Sequence, residues 1–230
     1  KAEWDTVRTW ALANGYTFNS GVGKGTDHPV TDVNWYDVVK WCNARSEKDG
    51  LTPCYTVVGS PLRTGTAIPV VNWKGNGYRL PTEAEWEKAA RGGLNGKRFP
   101  WGDTITHSQV NYQSNEQFAP DISPMRGFHP TYDIGDFPYT SPVGSFKANE
   151  YGLYDMTGNV WEWCWDWYSS YGEGAPVTDP VGELTGLGRI LRGGAFLATA
   201  FECRSAFRNY YNPAEALNFI GFRPVRTASP

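Results

Sequence analysis

The chain has 230 residues, 15% of them aromatic (11 Trp, 13 Tyr, 11 Phe), with 26 Gly and 16 Pro punctuating nearly every segment. That length suits one large domain or two small ones, either able to bury a substantial core. A net charge of −3 with both signs interspersed offers no basic stripe and excludes nucleic acid as a partner; no run of about 18 apolar residues exists to span a membrane.

In chain order, Trp4, Val7, Trp10 and Ala11 form one apolar stripe and predict a helix from Ala2 to Asn14, stopped by Gly15. After a glycine-rich loop, Asn34 is placed to cap a second helix in which Trp35, Val38, Val39 and Cys42 share a face, ending near Gly50. Tyr55, Val57, Val58, Val70, Val71 and Trp73, set among Gly and Pro between Leu51 and Asn76, read as a hairpin or short irregular strands covering that helix. Thr82 and Glu85 then make a capping box, preceded by Pro81 and closed by Gly92. The acids Glu83 and Glu85 in its first turn suit the helix dipole rather than acid–base catalysis.

From Phe99 to Pro142 the sequence is loop-like. Trp161, Trp163, Trp165 and Trp167 then alternate with Glu162, Cys164 and Asp166, a period of two that predicts a strand with one aromatic face buried in the core. Four cysteines, Cys42, Cys54, Cys164 and Cys203, are too widely spaced for a zinc site and too few for a disulfide scaffold, and their pairing stays open. Any signal or lipid anchor would precede Lys1.

The C-terminal segment alternates two kinds of text. Arg192-Gly193-Gly194, Cys203-Arg204-Ser205-Ala206, Arg208 and Ile220-Gly221-Phe222-Arg223 form a frame. Between them stand Phe196, Leu197, Ala198, Thr199 and Phe201, then Phe207, Asn209, Tyr210, Tyr211 and Asn212, then Leu217, Asn218 and Phe219. These thirteen positions follow neither a helical nor a strand period. Tyr and Phe give rigid contact area and Asn adaptable hydrogen bonds, as at a binding surface; buried aromatics are the other reading.

The runs Tyr78-Arg79-Leu80-Pro81-Thr82-Glu83-Ala84-Glu85-Trp86-Glu87 and Tyr151-Gly152-Leu153-Tyr154-Asp155-Met156-Thr157-Gly158-Asn159-Val160-Trp161-Glu162-Trp163, with Arg192-Gly193-Gly194 and Gly221-Phe222-Arg223, resemble the formylglycine-generating enzyme, or sulfatase-modifying factor, superfamily over nearly the whole chain. The resemblance implies an α+β, C-type-lectin-like fold, loop-rich, with small antiparallel sheets and two or three helices, as a single domain over residues 1–230. Fold alone does not fix activity. Oxidase members use two cysteines five residues apart after the Gly-Gly pair to hold copper, whereas this region has only Cys203, and soft copper needs thiolates. Iron-dependent members use three histidines; His28, His107 and His129 show no close ligand spacing and are expected in loops or at the surface. Neither catalytic set is present, so no activity and no required cofactor are expected.

The frame, including Pro213, is similar to the variable region of a branch diversified by retroelements, in which mutation at template adenines replaces asparagine codons. Such codons ending in C cannot yield Lys, Gln, Met, Glu or Trp, and none of the thirteen positions holds one of those five. The resemblance thus implies a non-catalytic, ligand-binding display protein, at the cell surface or secreted, with residues 192–226 as its variable segment and an unknown protein or surface ligand as partner. The binding residues would be the exposed members of Phe196, Leu197, Ala198, Thr199, Phe201, Phe207, Asn209, Tyr210, Tyr211, Leu217, Asn218 and Phe219. A divergent oxidase and a carbohydrate-binding lectin module are the rivals. The same resemblance implies a structural calcium held by carbonyls of Thr157, Gly158 and Val160 and the carboxylate of Glu162, with Asn111, Tyr112 and Asp133 as a weaker second set; hydrogen bonding of Glu162 to the protein is the alternative. The frame arginines Arg204, Arg208 and Arg223 are expected to be tied to carboxylates or carbonyls, and Ile220 and Phe222 to pack inward.

Overall fold

The computed structural model describes residues 1–171 and 177–227. Helix α1, Ala2–Ala13, buries Trp4, Val7 and Ala11 against helix α2, Trp35–Lys48, which Asn34 caps by accepting a bond from the Asp37 amide. Strands β1 (Tyr55–Val57), β2 (Ser60–Pro61) and β3 (Val70–Val71) form a small antiparallel sheet in the order β2-β1-β3. It is tied to α2 through the buried Asn43 side chain, which donates to the Tyr55 and Leu62 carbonyls and accepts from the Tyr55 amide.

Strand β4, Tyr78–Arg79, leads into helix α3, Glu83–Arg91, where both halves of the Thr82/Glu85 capping box form and Gly92 closes the helix at φ +54°. A second cap comes from far along the chain: the Asp166 carboxylate accepts from the Glu83 amide at 2.7 Å. Residues 99–142 contain only isolated bridges, as their Gly- and Pro-rich text predicts.

Strand β5, Trp161–Trp167, is the centre of the molecule. With β6 (Arg189–Arg192), β7 (Asn209–Tyr211) and β8 (Ile220–Gly221) it builds a four-stranded sheet in the order β7-β6-β5-β8; β9, Val225–Arg226, pairs with β4. The sheets are not wholly antiparallel as expected. β5 and β8 run parallel, Trp161 opposite Ile220, because the chain returns to the edge of β5 only after the long excursion through β6 and β7.

The tryptophan face of β5 is core at Trp161 and Trp163 and half-buried at Trp165 and Trp167, and the other face is buried as well. Trp161, Trp163 and Leu191 join the main cluster with α1 and α2, fixed by bonds from the Trp163 indole to the Val33 carbonyl and from the Trp35 indole to the Cys164 carbonyl. Cys164 and Ile190 face the opposite way and pack with Trp86 and Ala90 of α3. Helices on both faces bury the strand twice over, so its polar residues Glu162 and Asp166 must find partners inside the protein.

Candidate functional site

The frame of the C-terminal segment is cross-linked and buried at Arg192, Gly193, Gly194, Cys203, Ser205, Ile220 and Gly221. The Arg192 guanidinium, fully buried, donates to Glu87 and to the Ser205 and Phe207 carbonyls. Gly193 (φ +97°) and Gly194 (φ +80°) turn the chain sharply, and a Cβ on Gly194 would stand 2.6 Å from the Cys203 sulfur; only glycine fits there. Arg208 makes a two-pronged pair with Glu83 at 2.6 and 2.8 Å, its guanidinium between the rings of Tyr168 and Tyr171. Arg223 does the same with Glu162, at 2.6 Å on each oxygen. Ile220 is buried and Phe222 packs edge-on against Trp4 and Trp41. Arg204 is tied to a carbonyl rather than to a carboxylate. It meets no carboxylate among the described residues, bonds the Phe201 carbonyl at 2.8 Å and lies over the Phe201 ring at 3.8 Å.

Of the predicted binding positions, Phe196 and Ala198 drop out, with 0% and 1% of their surface exposed. The Gly193–Gly194 turn carries them inward: the Phe196 amide bonds the Asn159 carbonyl, and the Ala198 carbonyl accepts from Gln113. Phe201 and Tyr210 are exposed at 45% and 38%. Leu197, Thr199, Phe207, Asn209, Tyr211, Leu217, Asn218 and Phe219 are half-buried and Asn212 is exposed. The half-buried apolar residues rest one side on the core and leave the other outward.

The aromatic side chains form ring-to-ring contacts across the segment and beyond it. Phe201 meets Phe118 at 5.5 Å and Phe207 at 5.6 Å, while Tyr210 lies on Tyr168 at 4.3 Å. Phe118, Phe137 and Tyr139 come from the loop-like 99–142 text, Phe137 and Tyr139 adjoining Phe196. Sequence reasoning missed them, since loop residues carry no period; the sole signal was aromatics among Gly and Pro.

No thiolate pair lies in this region. Ala198 stands five residues before Cys203, and burial pushes the Cys203 thiol well above its usual pKa, away from the thiolate that binds metal or attacks a substrate. All four cysteines are unpaired and buried. Glu83 and Glu85 do more than complement a helix dipole: Glu83 pairs with Arg208, and Glu85 with Arg79 at 2.6 and 2.7 Å.

His107 and His129 lie in loops, as expected, and are buried there rather than at the surface. His129 bonds the His107 carbonyl at 2.7 Å through Nε2, and its Nδ1 accepts from the Thr131 amide, which fixes the neutral ring. Burial lowers the pKa of both.

The expected calcium set does not fit a cation as arranged. One carboxylate oxygen of Glu162 takes the Trp86 indole at 2.6 Å and both take Arg223, so the acid is already neutralised by a guanidinium, and not by loop amides. The carbonyls of Thr157, Gly158 and Val160 alone fall short of the about six to eight oxygens calcium takes. In the weaker set, Asp133 is exposed while Asn111 and Tyr112 are buried, Tyr112 donating to Asp121 at 2.6 Å.

The sulfatase-modifying factor enzyme 1-like domain model matches residues 1–228. The formylglycine-generating enzymes of Thermomonospora curvata and Streptomyces coelicolor are 36% and 39% identical to this chain over 90% and 80% of its length. The chain spans 70% of the first and 56% of the second. Among solved structures, Treponema denticola variable protein 1 superimposes with a TM-score of 0.72 at 31% identity, covering 96% of this chain and 80% of that one. The α+β architecture, with its three helices and small sheets among long loops, is thus the C-type-lectin-like fold of the formylglycine-generating type. The chain belongs to the sulfatase-modifying factor enzyme 1-like family and shares its fold with a variable protein.

Proposed function

We propose that this chain is a non-catalytic ligand-binding domain, displayed at a cell surface or secreted, whose segment 192–226 carries a surface diversified by a retroelement. The observation that carries the reading is the division of labour within that segment. Frame residues Arg192, Gly194, Cys203, Ser205 and Ile220 are buried, while Phe201 and Tyr210 face solvent and their neighbours lie half-exposed on a fixed support. Replacement of outward side chains leaves the core untouched, and an exposed aromatic patch on a folded domain marks a partner site.

The rival is oxidase chemistry, favoured by the identity to formylglycine-generating enzymes. It needs a thiolate pair where this chain has Ala198 and a buried, protonated Cys203. Two libraries separate the readings. Randomising Leu197, Thr199, Phe201, Phe207, Asn209, Tyr210, Tyr211, Leu217, Asn218 and Phe219 should yield mostly folded proteins with altered binding; randomising the frame should yield mostly unfolded ones. Equal failure of both libraries, or formylglycine formed on a cysteine-containing peptide with copper supplied, would overturn the proposal. Retroelement diversification has its own check: a neighbouring DNA copy of the segment that differs at adenines alone.

A further inference from the structure

Three of the four frame arginines, Arg192, Arg208 and Arg223, spend their charge on carboxylates inside the fold. Arg204 does not. Only its Nε is bonded, to the Phe201 carbonyl, and its terminal nitrogens have no hydrogen-bond partner among the described residues. Its guanidinium lies flat enough to sit 3.8 Å from the Phe201 ring centre, with Phe118 and Phe207 each at 5.9 Å. Stacking of this kind costs the cation little hydration and holds its planar fork in place.

A second cation stands beside it. The Ser205 amide bonds the Arg98 carbonyl at 2.8 Å, bringing Arg98 next to the segment, and the Arg98 side chain is half-exposed while sharing Asp103 with Lys97. Burial first, and then repulsion from Arg98, lower the Arg204 pKa; no carboxylate acts on it. In a chain with a net charge of −3, an uncompensated positive spot ringed by aromatic faces is an unspent binding element.

We propose that Arg204, on its shelf of Phe201, Phe207 and Phe118 and beside Arg98, is an anchor of this chain's binding surface that selects protein partners presenting an Asp or Glu side chain against an apolar neighbour. This rests on the binding-surface reading above and sharpens it: the frame supplies the guanidinium, and the rings this chain carries at the varied positions Phe201 and Phe207 hold its fork for a carboxylate. A carboxylate suits the free fork, which can donate two parallel bonds. A sulfated polysaccharide would need a stripe of cations, whereas Arg98 is part-neutralised by Asp103 and Lys97 shares that same acid.

The test pans a random peptide library on the full chain and on its Arg204→Gln, Arg204→Lys and Arg98→Gln variants, with circular dichroism checking each fold. Peptides recovered on the unaltered chain should be enriched in Asp or Glu beside an aromatic or aliphatic residue. Their affinity should fall about 10- to 100-fold on Arg204→Gln, recover in part on Arg204→Lys, which cannot form the planar fork, and fall less on Arg98→Gln. Peptides recovered without acidic enrichment, or acidic peptides that bind Arg204→Gln equally well, overturn the anchor while leaving the binding surface standing. Recovery of no peptides overturns the anchor. Heparin that displaces the peptides and is held through Arg204 would replace the protein partner with a sulfated glycan.

Discussion

Strand β5 and the segment from Thr199 to Tyr211 are both rich in aromatic residues, yet the first locks the molecule and the second leaves it open. Trp163 is fully buried and its indole is bonded to Val33, 130 residues away in sequence. Phe201 is 45% exposed and meets rings from its own segment and one loop, with the neighbouring Arg204 guanidinium over its face. The difference lies in the polar handles. A buried tryptophan or arginine with a bonded partner couples distant parts of the chain, so its replacement is felt everywhere. A phenylalanine resting on other rings couples little beyond its own contacts, which is the physical condition for a surface that tolerates change.

The largest expected effect comes from breaking a coupling on the locked side. Glu162→Ala removes the carboxylate from Arg223 and from the Trp86 indole together, leaving a charge and an N–H unpaired. Loss of one partner of a buried pair costs about 3 to 5 kcal/mol, read as a lowered midpoint in urea. A loss under about 1 kcal/mol would mean that water replaces the acid and that the frame is looser than its geometry.

Gly194→Ala should come next. A side chain at φ +80° is strained and would meet the Cys203 sulfur at 2.6 Å; strain of that kind costs about 1 to 3 kcal/mol before any clash. Serine at Cys203 should not rescue it, because the Cys203 Cα also lies 3.1 Å from the added carbon.

An acid-sensitive loss of stability is expected from the His107–His129 pair, which props the loop carrying Gln113 and Phe118 against the binding segment. Burial holds both folded pKa values below the ordinary histidine value of 6.5, so the unfolded chain binds more protons and stability falls as pH drops below about 6.5. The charges facing the pair are Asp121 and Arg126, with Tyr112 in contact. Asp166, raised to about 6 by burial, acts in the opposite sense between about 6 and the ordinary aspartate value of 3.8, so the histidine effect is cleanest between pH 7 and 6. His129→Gln should flatten that slope; an unchanged slope would assign it elsewhere.

On the open side, Tyr210→Ala should change stability by under about 1 kcal/mol, as exposed substitutions do, while altering ligand choice. Its contact with Tyr168 at 4.3 Å is the most it has to lose. A loss as large as that of Glu162→Ala would erase the contrast between the two regions.

Much of the locked side was legible in the sequence, because its signals are local or periodic. The Asn34 cap, the Thr82/Glu85 box and the alternation from Trp161 to Trp167 each dictate a conformation by themselves. The second buried face of β5 was hidden because Glu162, Cys164 and Asp166 look like a solvent face until α3 covers them. On the open side the frame could be read but not the direction of each side chain. Phe196 and Ala198 turn inward because of two glycines whose φ values no spacing reveals, and Arg204 turns outward because its stacking partners, Phe118 among them, arrive from a loop without a pattern.

The smallest effect is expected from calcium, and it tests the same coupling from the other direction. A divalent ion at Thr157, Gly158, Val160 and Glu162 needs the carboxylate free, but Arg223 holds both of its oxygens and also donates to the Tyr154 and Asp155 carbonyls. The guanidinium thus holds the one carboxylate a cation would use, and like charges cannot share it at low cost. Calcium must displace Arg223 before it gains anything, while the guanidinium is attached and already in place. Chelation should therefore leave the melting temperature unchanged, and calcium should raise that of Arg223→Ala more than that of the unaltered chain. A rise in the unaltered chain alone would show that the ion binds with the guanidinium in place through backbone carbonyls, and that Glu162 is not the oxygen that decides the site.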